Sequence, residues 1–493
     1  MFSFQKYFQK RGLLIAHDEH KGHYIVANKN FKAGDTILTG YPFSYRINDE
    51  NRDQRCHFCY KVCPSLKLCG KCRQVGYCSR ECQIADWKNH KQECPILCEH
   101  KDISLDQDMF NVFKIVVNII NERNGDISNQ EEIAKIDNEY IKGSYKDISL
   151  LCSHSDLFNE DEEIYRSKCK MLLSLFTEEQ KSTFHLTEDF IFTIYLYLFT
   201  NHFEIMDDMD SSSIAIGFYP SLSLFNHSCA PNVYRYNHGN AMNIQAIRKI
   251  QKGEEICVNY TTLYSPTPIR KQNLQKFKHF DCMCPRCSIV NNPEDVRINK
   301  RKCISIKEEE GKEIRCGGVC EPVYIDNYTM PKEWKCEKCG DVHTEEEYKN
   351  KFEDSIQFLD KKEEAVDTIE SIIKILKNFL TDTNYQIESY TMKYYSYLIS
   401  IQAYEKAYDL GIYILHSLEG GARIEGYPKI AGMYANIGTL CCHLARYREA
   451  QRYLEKAKAL YKNVYPSYHP RVVAVITGLQ QAESHINTRS KRR

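Results

Sequence analysis

The sequence predicts a multidomain α+β protein. A β-rich domain is interrupted by a cysteine-rich module and a helical insert, then followed by a second cysteine-rich region and an α-helical tail. Three observations carry this expectation. Short apolar runs punctuated by turn residues occur both before residue 50 and after residue 230. Cysteines recur in pairs at the spacing of metal ligands, and from about residue 353 the apolar pattern is helical. The composition frames these elements. A chain of 493 residues is long enough for several domains, each with its own core. Lysine and arginine together number 66, as do aspartate and glutamate, so no global charge points to a nucleic acid or a membrane. The start, MFSFQKYFQKRG, has charges inside any apolar core, which argues against a secretory signal. No run approaches the roughly 20 apolar residues of a membrane span. Reduced thiols that bind metal therefore account better than a disulfide framework for 23 cysteines.

In chain order, RGLLIAHDEHKGHYIVANKNFKAGDTILTGYPFSYRI reads as strand, turn, strand, turn, strand, with HKG and KAGD as turns. Four ligand pairs follow: Cys56 with Cys59, Cys69 with Cys72, Cys78 with Cys82, and His90 with Cys94. Two-residue gaps suit a zinc knuckle, and three-residue gaps place both ligands on one face of a helical turn. Eight ligands make two closed, structural sites, without which so aliphatic-poor a segment could hardly fold. Cys63 and Cys98 lie outside the pattern. The runs MFNVFKIVVNII and FIFTIYLYLF have helical spacing. The stretch SLFNHSCAPN then precedes further short strands in NVYRY, AMNIQAI and ICVNY, with a turn at KGEE. Its first residues, Ser223 to Phe225, are expected to end a strand. Cys282, Cys284 and Cys287 give three thiolates, one short of a tetrahedron, so a fourth ligand must come from elsewhere. Farther on, Cys316, Cys320, Cys336 and Cys339, flanked by glycines, read as a small zinc ribbon.

The order of the first cysteine cluster, with Trp87 just before His90, resembles a MYND zinc finger. That resemblance implies interleaved pairing: Cys56, Cys59, Cys78 and Cys82 on one ion, and Cys69, Cys72, His90 and Cys94 on the other. The pieces KGHY, FNHSC, VNY and FDCMCPRC come in the order and spacing of a SET domain. Together the motifs resemble the SET-and-MYND (SMYD) family of protein-lysine methyltransferases over nearly the whole chain. The family pattern makes Cys229 the fourth ligand beside Cys282, Cys284 and Cys287. It implies a SET amino-terminal part over 1–50, a MYND finger over 51–98, a helical insert over 99–190 and a SET core over 191–280. A post-SET zinc region over 281–345 and a helical domain over 346–493 complete it. In the last of these, Tyr434, Ile437, Gly438, Tyr447, Ala450 and Ala457 fit the tetratricopeptide-repeat (TPR) template. Ala407 stands in Ala450's place in a preceding repeat, at a separation longer than the usual period of about 34 residues, with LEGGARIEG as an intervening loop.

The resemblance implies S-adenosylmethionine as cofactor and three structural zinc ions, with the ribbon cysteines as ligands of a fourth. By matching motifs, Lys21 and His23 would meet the cofactor's amino-acid end, Lys21 pairing with its carboxylate. Asn226 and His227 would hydrogen-bond its methionine portion and adenine edge. Asn201 is a further cofactor contact, His154 would reach the ribose, and Phe280 would stack on adenine. Phe203 would wall the lysine channel, and Tyr260, beside the transferring methyl, would be catalytic. Two positions depart from the family pattern. Tyr24 replaces the second glycine of a Gly-x-Gly turn, and Lys278 stands where relatives often carry a tyrosine. A charged Lys278 on the channel wall would repel a substrate amine. The implied partners are a histone or non-histone lysine substrate and peptides at the MYND finger and TPR-like domain. The implied state is a monomer, cytoplasmic and nuclear, without membrane attachment or direct nucleic-acid contact. An alternative reading is a scaffold that keeps the SET fold and works through the finger and tail, and a third is a chromatin-binding adaptor.

Overall fold

In a computed structural model describing residues 2–100, 105–123, 143–154, 162–209, 212–309, 312–351, 366–422 and 424–491, the chain forms two compact units. The first comprises Met1–Asn226 and Asn232–Val258; the second comprises His227–Pro231 and Asn259–Arg493. The NHSC stretch is thus divided, with Asn226 in one unit and His227 in the other.

Among the described residues, the first unit holds four small antiparallel sheets. Strands β1 (Leu13–Asp18) and β2 (Gly22–Ala27) form a hairpin pairing Leu13 with Ala27 and His17 with His23. Its turn places Gly22 at φ 68°, a left-handed conformation that glycine enters at little cost. Tyr24 lies inside β2 opposite Ala16, so the missing second glycine is accommodated by ordinary strand backbone. The next two strands do not continue this sheet. β3 (Thr36–Gly40) pairs with β10 (Ala241–Ala246), which also pairs with β9 (Val233–His238). β4 (Ser44–Ile47) pairs with β8 (Ser213–Phe218), and β8 with β7 (His202–Met206). In the cysteine-rich segment, β5 (Lys67–Leu68) and β6 (Gly76–Tyr77) make a minimal hairpin.

Two expected strand segments differ. Ser223–Phe225 belong to a helical turn after β8, in which the N–H groups of Leu222 and Ser223 both donate to the Tyr219 carbonyl. The ICVNY segment forms no strand. It is held by single bonds, from the Ile256 N–H to the Ile25 carbonyl and from the Val258 N–H to the Asn226 carbonyl.

The core of this unit is helical. Gln107–Arg123 buries residues around its whole circumference, from Met109 to Ile120, as a helix apolar on every side must. Its one buried cation, Lys114, lies 3.3 Å from His57 Nε2, 3.5 Å from Glu93 and 4.2 Å from the center of the Tyr45 ring. The helix Glu188–Asn201 packs beside it, its start capped by the Thr187 hydroxyl, which accepts from the Phe190 N–H.

The second unit holds a four-stranded antiparallel ribbon: Arg301–Lys302, Val319–Pro322, Glu333–Cys336 and Val342–Thr344, adjacent in that order. Helices follow at Val366–Leu376, Tyr385–Ser400, Tyr404–Gly420, Lys429–His443, Tyr447–Tyr461 and Pro470–Lys491, each packed on the next. Part of the expected LEGGARIEG loop is helix, since Tyr404–Gly420 runs through its first three residues. Ala407, Ala450 and Ala457 are wholly buried, as close helix approach requires. Among the described residues, no helix is long and apolar enough to cross a membrane.

A methyl group on Gly438 would lie 2.6 Å from Leu454 Cγ and 3.2 Å from the Leu454 backbone nitrogen. Gly438→Val is therefore expected to destabilize this helical stack by about 1–3 kcal/mol, measured as a lower denaturation midpoint.

Candidate active site and metal-ligand groups

The amino-terminal unit supplies a carboxylate held by two side chains. Lys21, in the β1–β2 turn, places Nζ 2.8 Å from Glu255 Oε2. The Asn226 amide donates to Glu255 Oε1 at 3.2 Å and reaches the Lys21 carbonyl at 3.5 Å. The Glu255 hydrogen bond raises the Lys21 pKa above its ordinary value. Glu255 was not singled out in the sequence, although it ends the KGEE turn.

His23 points elsewhere. Its ring meets His17 at 4.7 Å and Phe2 at 5.0 Å, both edge-on, and burial followed by the His17 charge lowers its pKa. Asn201 spends its amide hydrogens on the Cys152 carbonyl, at 2.8 Å, and the Tyr197 carbonyl, at 2.9 Å. With the Thr200 hydroxyl bonded to the Ser153 carbonyl, this pins residues 152–153, just before His154, whose φ is 47°. Asn201 thus positions the His154 segment, leaving its Oδ1 as what it can offer a ligand. Phe203 is 95% buried, edge-on to Tyr219, with the Arg235 guanidinium 5.2 Å from its ring center.

The second unit gathers His227, Tyr260, Lys278 and Phe280. The ring centers of His227 and Phe280 are 6.1 Å apart, and those of Tyr260 and Phe280 are 6.4 Å apart and nearly perpendicular. Lys278 ends the helix Thr267–Lys278 with Nζ 5.8 Å from the Tyr260 ring center, so this lysine does face the aromatic group. The His227 side chain is engaged within the protein. The Tyr260 N–H donates to its Nδ1 at 2.9 Å, which leaves the ring proton on Nε2, 3.2 Å from Cys229 Sγ. Burial, with a smaller contribution from Arg270 and against the Cys284 sulfur, lowers the imidazole to about 4 and keeps it neutral. Both ring nitrogens are therefore used inside the protein, and only the backbone of His227 remains to meet a ligand.

Cys229 comes together with Cys282, Cys284 and Cys287, their sulfurs all within 4.8 Å of one another. Arg270 lies against this group, its guanidinium 3.2 Å from Cys229 Sγ and 3.5 Å from Cys287 Sγ. It is wholly buried and pairs with Asp295 at 2.9 Å, which also accepts from Arg286 at 2.9 Å. The cation offsets charge on thiolates, and Asp295 keeps the cation itself compensated. No spacing signal marks Arg270 in the sequence, because its relation to the cysteines exists only in the folded chain.

Two more donor groups lie in the first unit. Cys56, Cys59, Cys78 and Cys82 form one, and Cys69, Cys72, His90 and Cys94 the other. The His90 ring has Nε2 3.4 Å from Cys72 Sγ and Nδ1 3.5 Å from Glu93, the carboxylate–histidine arrangement that orients a metal-binding imidazole. The Ser79 hydroxyl caps the helix Arg80–Glu99, which carries Cys82, His90 and Cys94.

The ribbon cysteines regroup relative to the sequence reading. Cys303, Cys316, Cys336 and Cys339 come within 4.8 Å of one another, while Cys320 lies with Cys303 and His343. Cys320 is replaced because the gap from Cys316 is not a helical turn. Cys320 is the second residue of an extended strand, which advances about 3.3 Å per residue and carries it away from Cys316. Neither Cys303 nor His343 belongs to a close cysteine pair, so spacing could not reveal them.

Comparison with known proteins agrees with this arrangement. The SET domain family matches residues 22–261, which include Asn226, His227 and Tyr260. N-lysine methyltransferase SMYD2-A of Xenopus laevis is 27% identical over 59% of this chain, and the match spans 64% of that relative's length. SMYD2-A of Danio rerio is 24% identical over 92% of this chain and 94% of its own. Histone-lysine N-methyltransferase ASHR1 of Arabidopsis thaliana is 22% identical over 96% of this chain and 87% of its own. A solved kinesin light chain structure with TPR-like repeats covers 29% of the chain at 17% identity, with a TM-score of 0.22, too low to establish a shared fold. The fold and its motifs define a SET-domain protein. With one all-cysteine and one cysteine-histidine donor group inserted after β4, the chain is similar over most of its length to SMYD and ASHR1 methyltransferases.

Arg270→Met is expected to cost about 3 kcal/mol by removing one partner of a buried ion pair. Chemical denaturation of the variant beside wild type measures this.

Proposed function

We propose that the chain is a protein-lysine N-methyltransferase that uses S-adenosylmethionine, with histone or non-histone lysines as substrate and three structural zinc ions. The observation that carries the reading is the Lys21–Glu255–Asn226 group. There a lysine ammonium and an asparagine amide grip a carboxylate, the group that the amino-acid end of S-adenosylmethionine presents. The residues fit that ligand, with Glu255 marking where an incoming carboxylate would be held. The three all-cysteine or cysteine-histidine groups at Cys56–Cys94 and Cys229–Cys287 likewise fit zinc by donor type.

When bound, S-adenosylmethionine supplies a methyl carbon on a sulfonium, already activated toward a nucleophile. What remains for the protein is positioning. Lys21 and Asn226 would hold the amino-acid end, the His227 backbone and Phe280 the adenine, and Asn201 Oδ1 and His154 the sugar side. The Tyr260 hydroxyl would orient the substrate amine, with Phe203 as an apolar wall. A lysine amine has an ordinary pKa near 10.4 and must be neutral to attack. Burial against aromatic rings favors that neutral form, and Lys278 favors it further by like-charge repulsion. The same repulsion weakens capture of a substrate in its charged form. Lys278 thus trades substrate affinity for amine deprotonation.

The reading places the protein in cytoplasm and nucleus, with partner peptides at the zinc finger and helical tail. The runner-up is a scaffold that keeps the fold without catalysis, favored by the cation beside Tyr260. Titration calorimetry separates the two. Wild type is expected to bind S-adenosylmethionine and Asn226→Ala to bind it at least tenfold more weakly, whereas no binding by wild type would leave the scaffold. Tyr260→Phe should keep the fold and cofactor binding and lose most methyl transfer to histones or lysate proteins. Lys278→Tyr should lower KM for substrate and move the pH–rate profile upward, since removing a positive charge raises the pKa of the bound amine.

A further inference from the structure

The ribbon of the second unit carries a donor set with the geometry of a metal site. Three chain segments supply it: Cys303 after the first strand, Cys316 in a Cys-Gly-Gly loop, and Cys336 with Cys339 in a Cys-x-x-Cys-Gly turn. Cys303, Cys316 and Cys336 are buried. The turn is that of a zinc knuckle. The Gly340 N–H donates to the Cys336 carbonyl at 3.1 Å, while the N–H groups of Lys338 and Cys339 point at Cys336 Sγ from 3.4 and 3.5 Å. Gly318 is equally specific, because a Cβ there would lie 2.7 Å from Cys336 Sγ and 3.3 Å from Cys316 Sγ. The backbone passes this close to the sulfurs only because the side chain is absent.

A further polar layer surrounds the four sulfurs. His343, 93% buried, brings Nε2 to 3.2 Å from Cys303 Sγ and 3.2 Å from the Ser305 hydroxyl, which also bonds Asp341 at 2.6 Å. Strands of two to four residues are too short to hold a sheet by their ladders alone. An ion joining residues 303, 316 and 336–339 would tie all three segments together.

We propose that Cys303, Cys316, Cys336 and Cys339 bind one further structural zinc, a fourth beyond those of the SET and MYND parts. His343 and backbone N–H groups stabilize the thiolates, and Cys320 stays a buried thiol outside the coordination sphere. Four soft thiolates in a closed group suit zinc or iron and leave no position for a substrate or a catalytic water.

Metal content of the full-length chain, purified without chelator, tests this by plasma mass spectrometry together with native mass spectrometry. Four zinc ions per chain are expected in wild type and in Cys320→Ser, and one fewer than wild type in Cys303→Ser and in Cys336→Ser. A Cys303→Ser count equal to wild type overturns the proposal, as does loss of an ion in Cys320→Ser. Iron in place of zinc also overturns it, and so does a fifth ion, which would make Cys303 a bridge to Cys320 and His343. Should the variants fail to fold, cadmium-substituted wild type still decides. Three cadmium resonances of the four-sulfur type and one of the three-sulfur, one-nitrogen type are expected; only two of the former would refute the site.

Discussion

The hydrogen bond from the Tyr260 N–H to His227 Nδ1 constrains more of this protein than any other single contact described above. A backbone N–H can only donate, so the bond makes Nδ1 the acceptor and sends the ring proton to Nε2. From there the proton faces Cys229 Sγ, whose group includes Cys282, two residues after Phe280. The position of Tyr260, the charge on the cysteine group and the placement of Phe280 are thereby linked through one neutral imidazole. Burial keeps that imidazole neutral, and Arg270 supplies the positive charge a protonated histidine would otherwise have given the sulfurs.

This arrangement assigns different work to residues that share a motif. Asn226 and His227 are neighbors in the chain, but the Asn226 side chain is committed to Lys21 and Glu255, while the His227 side chain is committed to the cysteine group. Asn201, matched to a cofactor contact, spends its donors on the Cys152 and Tyr197 carbonyls. In each case a polar side chain inside a folded unit has satisfied its hydrogen bonds locally, as burial demands.

Much of the architecture was legible from pattern. Short apolar runs bounded by turn residues located β1 to β3, β9 and β10. The fully apolar face of MFNVFKIVVNII marked a buried helix. The close ligand pairs up to Cys94 and the Cys282–Cys287 cluster were readable because knuckles and helical turns bring near neighbors in sequence to one ion. Sequence spacing failed where the backbone was extended. Cys316 and Cys320 have the spacing of a helical pair, but Cys316 lies in a loop and Cys320 on the strand that follows it, and the ligand in Cys320's place, Cys303, arrives from a separate segment. Glu255 and Arg270 were missed for a related reason: each acts through a partner distant in sequence.

The sequence by itself determined most of the inventory: most strand and helix segments, the closely spaced residues that can bind metal, and the motifs that place the chain among SET-domain proteins. These follow from local rules, namely periodicity, turn chemistry and ligand spacing. Only the tertiary structure decided the partnerships. It decided that β3 joins β10 while β4 joins β8, that Glu255 sits on Lys21 and Asn226, that His227 accepts from the Tyr260 N–H, and that Cys303 replaces Cys320. The physical reason is common to all four. Strand pairing, ion pairing and sulfur grouping are short-range contacts between residues far apart in sequence, and a residue's type does not say which of several compatible partners the packed chain brings within reach.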